Sequence, residues 1–293
     1  MKHIRFIILS LFLFCSFLVN GQDNLLQEAL TLYKEGKLIE AKAKIDQAAG
    51  NEELAGNINT WYLRGFIYKD LYKNHPEEDV TLQYRSESIK AFKRLSTLEG
   101  AEKFQSDISK SLKYIATTYY NDAIRSLSNA KFSNSESFYD HYKNAIVLAD
   151  AQTDLQASEV DYYLSLGSKY MQMHKVDSIG NGVYLQSAEK SYNKVLAIDA
   201  NNIKANYNIG VLYYNEAVSL ISKMDYDEFD LVQFSSIEDR SIELFKKSLP
   251  FMETAYRLDP KDRNTIEGLA GIYFSLRDFD KSNEYKAKLE ELH

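Results

Sequence analysis

The chain has 293 residues and a formal net charge of −7, and it contains only three prolines and twelve glycines but 22 tyrosines. This acidic balance argues against a nucleic-acid partner, which would require a basic surface. Scarce glycine and proline, little valine–isoleucine alternation, and long stretches of Ala, Leu, Lys, Glu and Tyr indicate an almost wholly helical protein.

The first 21 residues differ from the rest of the chain. Lys2 and Arg5 precede an apolar run from Phe6 to Val19, and Gly21 ends a small-residue cleavage pattern. These features are typical of a secretory signal peptide. An uncleaved anchor is the alternative, but the run is short for a membrane span. We therefore predict a signal peptide over 1–21 that is cleaved after Gly21, and an exported, periplasmic protein over 22–293.

Cys15 is the only cysteine and lies inside this segment. Phe14 precedes it, whereas a lipoprotein signal requires a small residue there, so a lipid anchor is not indicated. After cleavage the chain could form no disulfide, no thiolate metal site and no cysteine nucleophile. No later stretch of sequence is long and apolar enough to cross a membrane.

A short motif recurs along the chain. The stretches "WYLRGFIY" (61–68), "YLSLGSKY" (163–170) and "NYNIGVLY" (206–213) each carry a glycine four residues after the first position and a tyrosine three residues further. The same regions continue with apolar residues at helical spacing, as in "SAEKSYNKVLAIDANN". A recurring motif of this kind indicates repeated helical units.

With these motifs the chain resembles the tetratricopeptide repeat (TPR) family, whose unit of about 34 residues is a pair of antiparallel helices. The resemblance implies an all-α protein: a right-handed α-solenoid of antiparallel helix pairs, with about six units, lengthened helices and a single domain over 22–293. In that family, small residues let the two helices of a pair touch. Gly65, Gly167 and Gly210 are therefore predicted to be close-packing points.

Several segments depart from the strict repeat length. The second unit is too long, and we predict that Pro76 marks its turn and that the extra residues lengthen both helices. The acidic stretch "DYDEFD" (225–230) belongs to an insertion in the fifth unit; a solvated loop is the main interpretation and a weak calcium contact the alternative. Pro250 lies within a helical pattern, where a kink is favoured over a new helix start because the apolar spacing continues through it.

The sequence shows no catalytic or ligand-binding constellation. No two histidines lie four residues apart, and no HExxH, GxxxxGK[ST] or GxSxG motif occurs. We therefore predict no metal, no cofactor and no enzymatic activity.

The resemblance also implies a binding surface, because first helices of the family line a concave groove. Carrying the family's groove positions onto this chain selects a set of partner-binding candidates: Tyr62, Phe66, Lys69, Met171, Tyr207, Val211, Tyr214 and Asn215. Exposed aromatic residues suit a protein or peptide partner, since they bury much area at low entropic cost. The alternative is that inserted helices fill the groove and that these aromatics belong to the core.

The sequence thus predicts a non-enzymatic, exported TPR scaffold that binds a protein or peptide partner in its groove during cell-envelope assembly or secretion. A periplasmic protein that binds a small molecule or a glycan in a tyrosine-rich pocket is the alternative function.

Overall fold

A computed structural model describes residues 23–79, 81–176, 182–222 and 231–292. The predicted signal peptide, most of the turn at 176–182 and the acidic stretch 225–230 lie outside these ranges.

The described residues form six consecutive helix pairs. Pair 1 is α1 (Asp23–Lys34) and α2 (Leu38–Gly50), pair 2 is α3 (Ile58–Asn74) and α4 (Gln83–Leu95), and pair 3 is α5 (Gln105–Ser128) and α6 (Phe132–Ala149). Pair 4 is α7 (Gln156–Val176) and α8 (Val183–Ile198), pair 5 is α9 (Ile203–Ser222) and α10 (Leu231–Leu258), and pair 6 is α11 (Arg263–Ser275) and α12 (Phe279–Glu290). The prediction of an all-α array of TPR-like helix pairs is confirmed.

Each recurring glycine lies where two paired helices touch. A Cβ atom on Gly65 would be 2.4 Å from Cε1 of Phe92, and one on Gly167 would be 2.6 Å from Cε1 of Tyr192. A Cβ atom on Gly210 would be 2.5 Å from Cγ of Met252. Because any side chain would overlap its neighbour, the predicted close-packing role of all three glycines is confirmed.

A second contact between paired helices recurs in pairs 2, 5 and 6. The Ser282 hydroxyl donates to the carbonyl oxygen of Ala270, 12 residues earlier, at 2.9 Å. The corresponding bonds run from Ser88 to Gly65 over 23 residues and from Ser248 to Gly210 over 38 residues, at 2.8 and 2.7 Å. The same serine-to-carbonyl hydrogen bond therefore joins the paired helices whatever the length of the segment between the two residues.

The insertions lengthen helices, although not always as predicted. In pair 2 only α3 is long, with 17 residues, whereas α4 has 13 and matches α2. Pro76 starts a 3-10 turn as expected, but the Asp79 carboxylate then accepts the Tyr84 backbone N–H at 2.7 Å and fixes the start of α4 nearby. The prediction that both helices lengthen was therefore wrong. In pair 5, α10 continues through Pro250 and no new helix begins there.

The chain divides into two compact units, with the division inside pair 3. The N-terminal unit contains the described residues up to Asn121 together with Ser137–Thr153, and the C-terminal unit contains Asp122–Glu136 and the described residues from Asp154 onward. Each unit has two clusters of buried side chains between its helices. None of the helices in the described ranges combines the length and apolar character that a membrane span would require.

We expect His141 to make the N-terminal unit sensitive to acid. The His141 ring stacks on Tyr119, with the ring centroids 4.9 Å apart. Burial, followed by the positive charge of Arg85, lowers the pKa of His141 below its ordinary value of 6.5. The negative charge of Asp140 opposes this shift but is the smallest of the three effects. The unfolded chain therefore takes up this proton at a higher pH than the folded chain. We expect stability to be complete above about pH 6.5 and to fall as the pH drops toward the lowered pKa.

Urea unfolding between pH 7.5 and 5 would measure this effect. His141→Gln should flatten the pH dependence, whereas His75→Gln, at a more exposed position, should leave it unchanged. An identical slope in the His141→Gln variant would exclude this histidine as the cause.

Candidate binding surface

A set of aromatic and charged side chains lies on the first helices of pairs 1 to 3, within the N-terminal unit. We call it the first-helix face. It consists of Tyr33 from α1, of four α3 residues and of two α5 residues: Tyr62, Phe66, Lys69, Asp70, Asp107 and Tyr114. Three of the predicted site residues, Tyr62, Phe66 and Lys69, are brought together here. Phe66 belongs to the buried core, with 9% of it exposed, and Tyr62 is half-buried against the same cluster.

Asp70 joins α1 to α3 on this face. Its carboxylate accepts a hydrogen bond from the Tyr33 hydroxyl at 2.5 Å and pairs with the Lys69 ammonium at 3.0 Å. The same ammonium lies 4.7 Å from the centroid of the Phe66 ring. Both charged side chains are largely shielded from solvent, with 15% of Lys69 and 22% of Asp70 exposed, so the pair is held in one place rather than moving freely at the surface.

Tyr62 joins α3 to α5. Its hydroxyl donates to the Asp107 carboxylate at 3.1 Å. Its ring lies 4.2 Å from the Phe104 ring and 4.8 Å from the Phe66 ring. The tyrosine is thus fixed at both ends, by ring packing and by a charge-assisted hydrogen bond.

Burial and the nearby carboxylates keep these tyrosines neutral. Burial, followed by the charge and hydrogen bond of Asp70, raises the pKa of Tyr33, and burial, followed by Asp107, raises the pKa of Tyr62. Burial, followed by Tyr72 and Asp70, also raises the pKa of Tyr114. The face contains one lysine, Lys69, and two aspartates, Asp70 and Asp107, so its acidic side chains outnumber its basic ones by one.

The other predicted site residues lie in the C-terminal unit and are mostly engaged in packing. Tyr207, Val211 and Tyr214 are half-buried against a cluster formed by α9, α10 and α11. The Tyr214 hydroxyl approaches the α11 backbone so closely that a Cβ atom on Gly271 would be 2.7 Å from it. Met171 is half-buried against the neighbouring cluster of α8 and α9, and Asn215 is exposed. A binding role for these five residues stays a prediction.

The structure also places titratable groups near one another that the sequence pattern does not connect. Nε2 of His174 lies 3.7 Å from a Glu216 carboxylate oxygen, beyond hydrogen-bond distance, and its Nδ1 is buried without a hydrogen-bond partner in the described residues. His75, Glu77 and Glu78 bring one potential ligand atom each within 4.8 Å of one another on a surface turn. Exposed acidic groups such as those of Glu77 and Glu78 are common without a metal.

No model of a known protein family and no curated protein sequence matches the chain. Among solved structures, it is similar to the MamA protein with a TM-score of 0.32 and 16% identity, over 77% of this chain and 91% of that one. It is similar to a monomeric IFIT1 mutant with Gppp-AAAA, with a TM-score of 0.37 and 13% identity over 97% of this chain. The chain spans about half of that protein, since only 53% of it is covered. The TPR domain of P58(IPK) aligns with a TM-score of 0.24 and 13% identity, over 93% and 97% of the two chains.

Proposed function

We propose that this protein is a non-enzymatic, exported scaffold that binds a segment of a protein partner on the first-helix face, in assembly of the cell envelope or in secretion. The observation that carries the proposal is the continuous set of aromatic and charged side chains across α1, α3 and α5. Lys69, Asp70 and Asp107 are ionised groups, and packing three helices together does not require them, since apolar side chains could fill the same space.

The chemistry of the face suits a peptide segment. Tyrosines that are fixed by packing and hydrogen bonds lose little entropy when they contact a partner. The single excess negative charge favours a segment that carries a basic side chain. Tyr114 provides an accessible aromatic at the α5 side, since 38% of it is exposed.

The location belongs to the same proposal. A basic start, an apolar run and a small-residue cleavage pattern at Gly21 support export and cleavage. The mature chain would then begin at Gln22.

The glycan-binding alternative has less support on this face. A stacking platform needs an aromatic ring with one side open to a sugar, whereas the Tyr62 ring packs against two other rings, at 4.2 and 4.8 Å. The Tyr62 ring is therefore not available to stack on a sugar.

A photo-crosslinking amino acid at position Tyr114, expressed in the protein's own cells, is expected to give one dominant protein adduct in the envelope fraction. The same crosslinker at Ile39, which is 53% exposed on the second helix of pair 1, should give none. Mass spectrometry of the adduct would also show whether the chain begins at Gln22. We expect Tyr62→Ala to reduce the adduct roughly tenfold, because losing an interface tyrosine costs more than about 1 kcal/mol of binding free energy.

Tyr84→Ala on α4 removes a half-buried tyrosine from the same unit but off the face, and it serves as the matched control. Circular dichroism must show both variants folded. Equal adducts from Tyr114 and Ile39, or equal loss in the two alanine variants, would count against the first-helix face as the binding site. An adduct confined to unprocessed chains would count against export.

A further inference from the structure

A separate cavity of about 510 Å³, which is largely open to solvent, lies in the N-terminal unit between α2, α3 and α4. Its lining residues are Asp46, Ala49, Gly50, Trp61, Arg64, Glu87, Lys90 and Arg94. Its volume is in the range of small-molecule sites. None of these residues belongs to the first-helix face.

The carboxylates of the cavity are already bound by protein donors. Asp46 accepts hydrogen bonds from Nε of Arg64 at 2.9 Å and from the Tyr68 hydroxyl at 2.8 Å. Glu87 accepts from Nη2 of Arg64 at 2.9 Å and from Nζ of Lys90 at 2.6 Å. Arg64 itself is held between these two groups, with 12% of its side chain exposed. These carboxylates therefore have little remaining capacity to attract a cationic ligand.

Two cations at the rim remain available to an anion. Lys90 and Arg94 lie one turn apart on α4, and 68% of the Lys90 side chain is exposed. Lys90 can leave Glu87 without stranding that carboxylate, because Arg64 stays bound to it. Within the described ranges, the Arg94 guanidinium bonds only to the Thr97 hydroxyl, at 3.3 Å. The three lining cations outnumber the two lining carboxylates, in a chain whose net charge is −7.

Ala49, Gly50 and Trp61 are the apolar residues of the lining, and we call them the apolar wall. The indole N–H of Trp61 donates to the Ala55 carbonyl oxygen at 2.8 Å, which holds the ring in place. Ala49 and Gly50 carry little side-chain volume, and a Cβ atom added to Gly50 would meet nothing within 4 Å. This wall therefore leaves space for an apolar group next to the indole.

We propose that this cavity binds a small organic carboxylate, whose anionic group lies between Lys90 and Arg94 and whose apolar body packs beside Trp61. An arginine and a lysine at the rim supply charge-assisted hydrogen bonds to the carboxylate oxygens. The apolar wall then distinguishes an organic acid from a simple anion, since inorganic phosphate would leave that wall uncovered.

Trp61 is the only tryptophan in the chain, so tryptophan fluorescence reports on this cavity alone. We would titrate the full chain with N-acetylphenylalanine at constant ionic strength, and in parallel with its amide and with inorganic phosphate. The expected result is a saturable change in emission with the acid, and binding at least tenfold weaker for both the amide and phosphate. Equal binding of the amide would exclude recognition of the carboxylate, and equal binding of phosphate would exclude recognition of the apolar body.

Two variants test the residues. K90Q/R94Q should weaken binding of the acid at least tenfold. K93Q/K110Q removes two exposed charges elsewhere in the same unit, one of them on α4 itself, and should change binding less than twofold. All four substituted positions are exposed, so folding should be retained, and circular dichroism would verify it. No saturable change in the unmodified chain, or equal weakening in the two double variants, would overturn the proposal.

Discussion

Asp79→Ala is expected to lower the free energy of unfolding of the N-terminal unit by about 3–5 kcal/mol, the range for removing one partner of a buried ion pair. The Asp79 carboxylate is 0% exposed and the Arg85 side chain 3% exposed, and Nε of Arg85 lies 2.8 Å from the carboxylate. The guanidinium lies between two rings, 4.5 Å from the centroid of Tyr72 and 4.2 Å from that of Tyr119. Removing the carboxylate would take a buried counter-charge away from a cation that lies among aromatic rings.

The same carboxylate has a second role, because it accepts the Tyr84 backbone N–H in the first turn of α4. Loss of such a cap contributes to the same destabilisation, typically by about 1 kcal/mol. The two effects can be separated with Asp79→Asn, whose side-chain oxygen can still accept the backbone N–H but carries no charge. We expect Asp79→Asn to be less destabilising than Asp79→Ala.

Urea unfolding followed by circular dichroism would measure these changes. Glu78→Ala is the matched control, because it removes an equal charge at the preceding position, where half of the side chain is exposed; it should stay within about 0.5 kcal/mol. Replacing both partners, as in Asp79→Ala with Arg85→Leu, should recover part of the loss, since no uncompensated charge is then buried. If Asp79→Ala is as stable as Glu78→Ala, the ion pair is not an important source of stability.

This pair also shows what the sequence could not predict. Asp79 and Arg85 lie six residues apart in a stretch rich in charged residues, and such stretches are usually solvated. Their burial depends on Tyr72 from the preceding helix and Tyr119 from α5, which no local pattern connects to them. For the same reason the sequence could not show that α4 would start so late, since the start of that helix depends on the buried Asp79 carboxylate.

The candidate site was predictable in part. Tyr62, Phe66 and Lys69 follow from family positions on a single helix, and the structure places them on one surface. Tyr33 and Asp107 were missed because their partners lie far away in the sequence and on other helices. Tyr33 bonds to Asp70, 37 residues later, and Asp107 bonds to Tyr62, 45 residues earlier. In the C-terminal unit the same positions gave Tyr207 and Tyr214, which are half-buried as Tyr62 is, whereas Phe66 is buried. The position of a residue within its helix was thus predictable, whereas its exposure depends on packing against the neighbouring helices.

Gly65→Ala is expected to lower the free energy of unfolding by about 1–3 kcal/mol, which is typical of overpacking. The new methyl group would lie 2.4 Å from Cε1 of Phe92, and the Phe92 ring is fully buried, so it has no space into which to move. Separation of the helices is also resisted, because the Ser88 hydroxyl donates to the Gly65 carbonyl oxygen at 2.8 Å. The substitution therefore forces a choice between a steric overlap and the loss of a buried hydrogen bond.

Gly50→Ala provides the control, since the added methyl group would meet nothing within 4 Å. It should leave stability unchanged or raise it by about 0.4–1 kcal/mol, because alanine restricts the unfolded chain more than glycine does. In the Gly65→Ala background, Phe92→Leu should restore part of the lost stability by removing the ring atoms that overlap the methyl group. Urea unfolding of the four chains would decide the point. If Gly65→Ala proves as stable as Gly50→Ala, the recurring glycine is not a steric requirement of pair 2, and the equivalent glycines of pairs 4 and 5 would need another explanation.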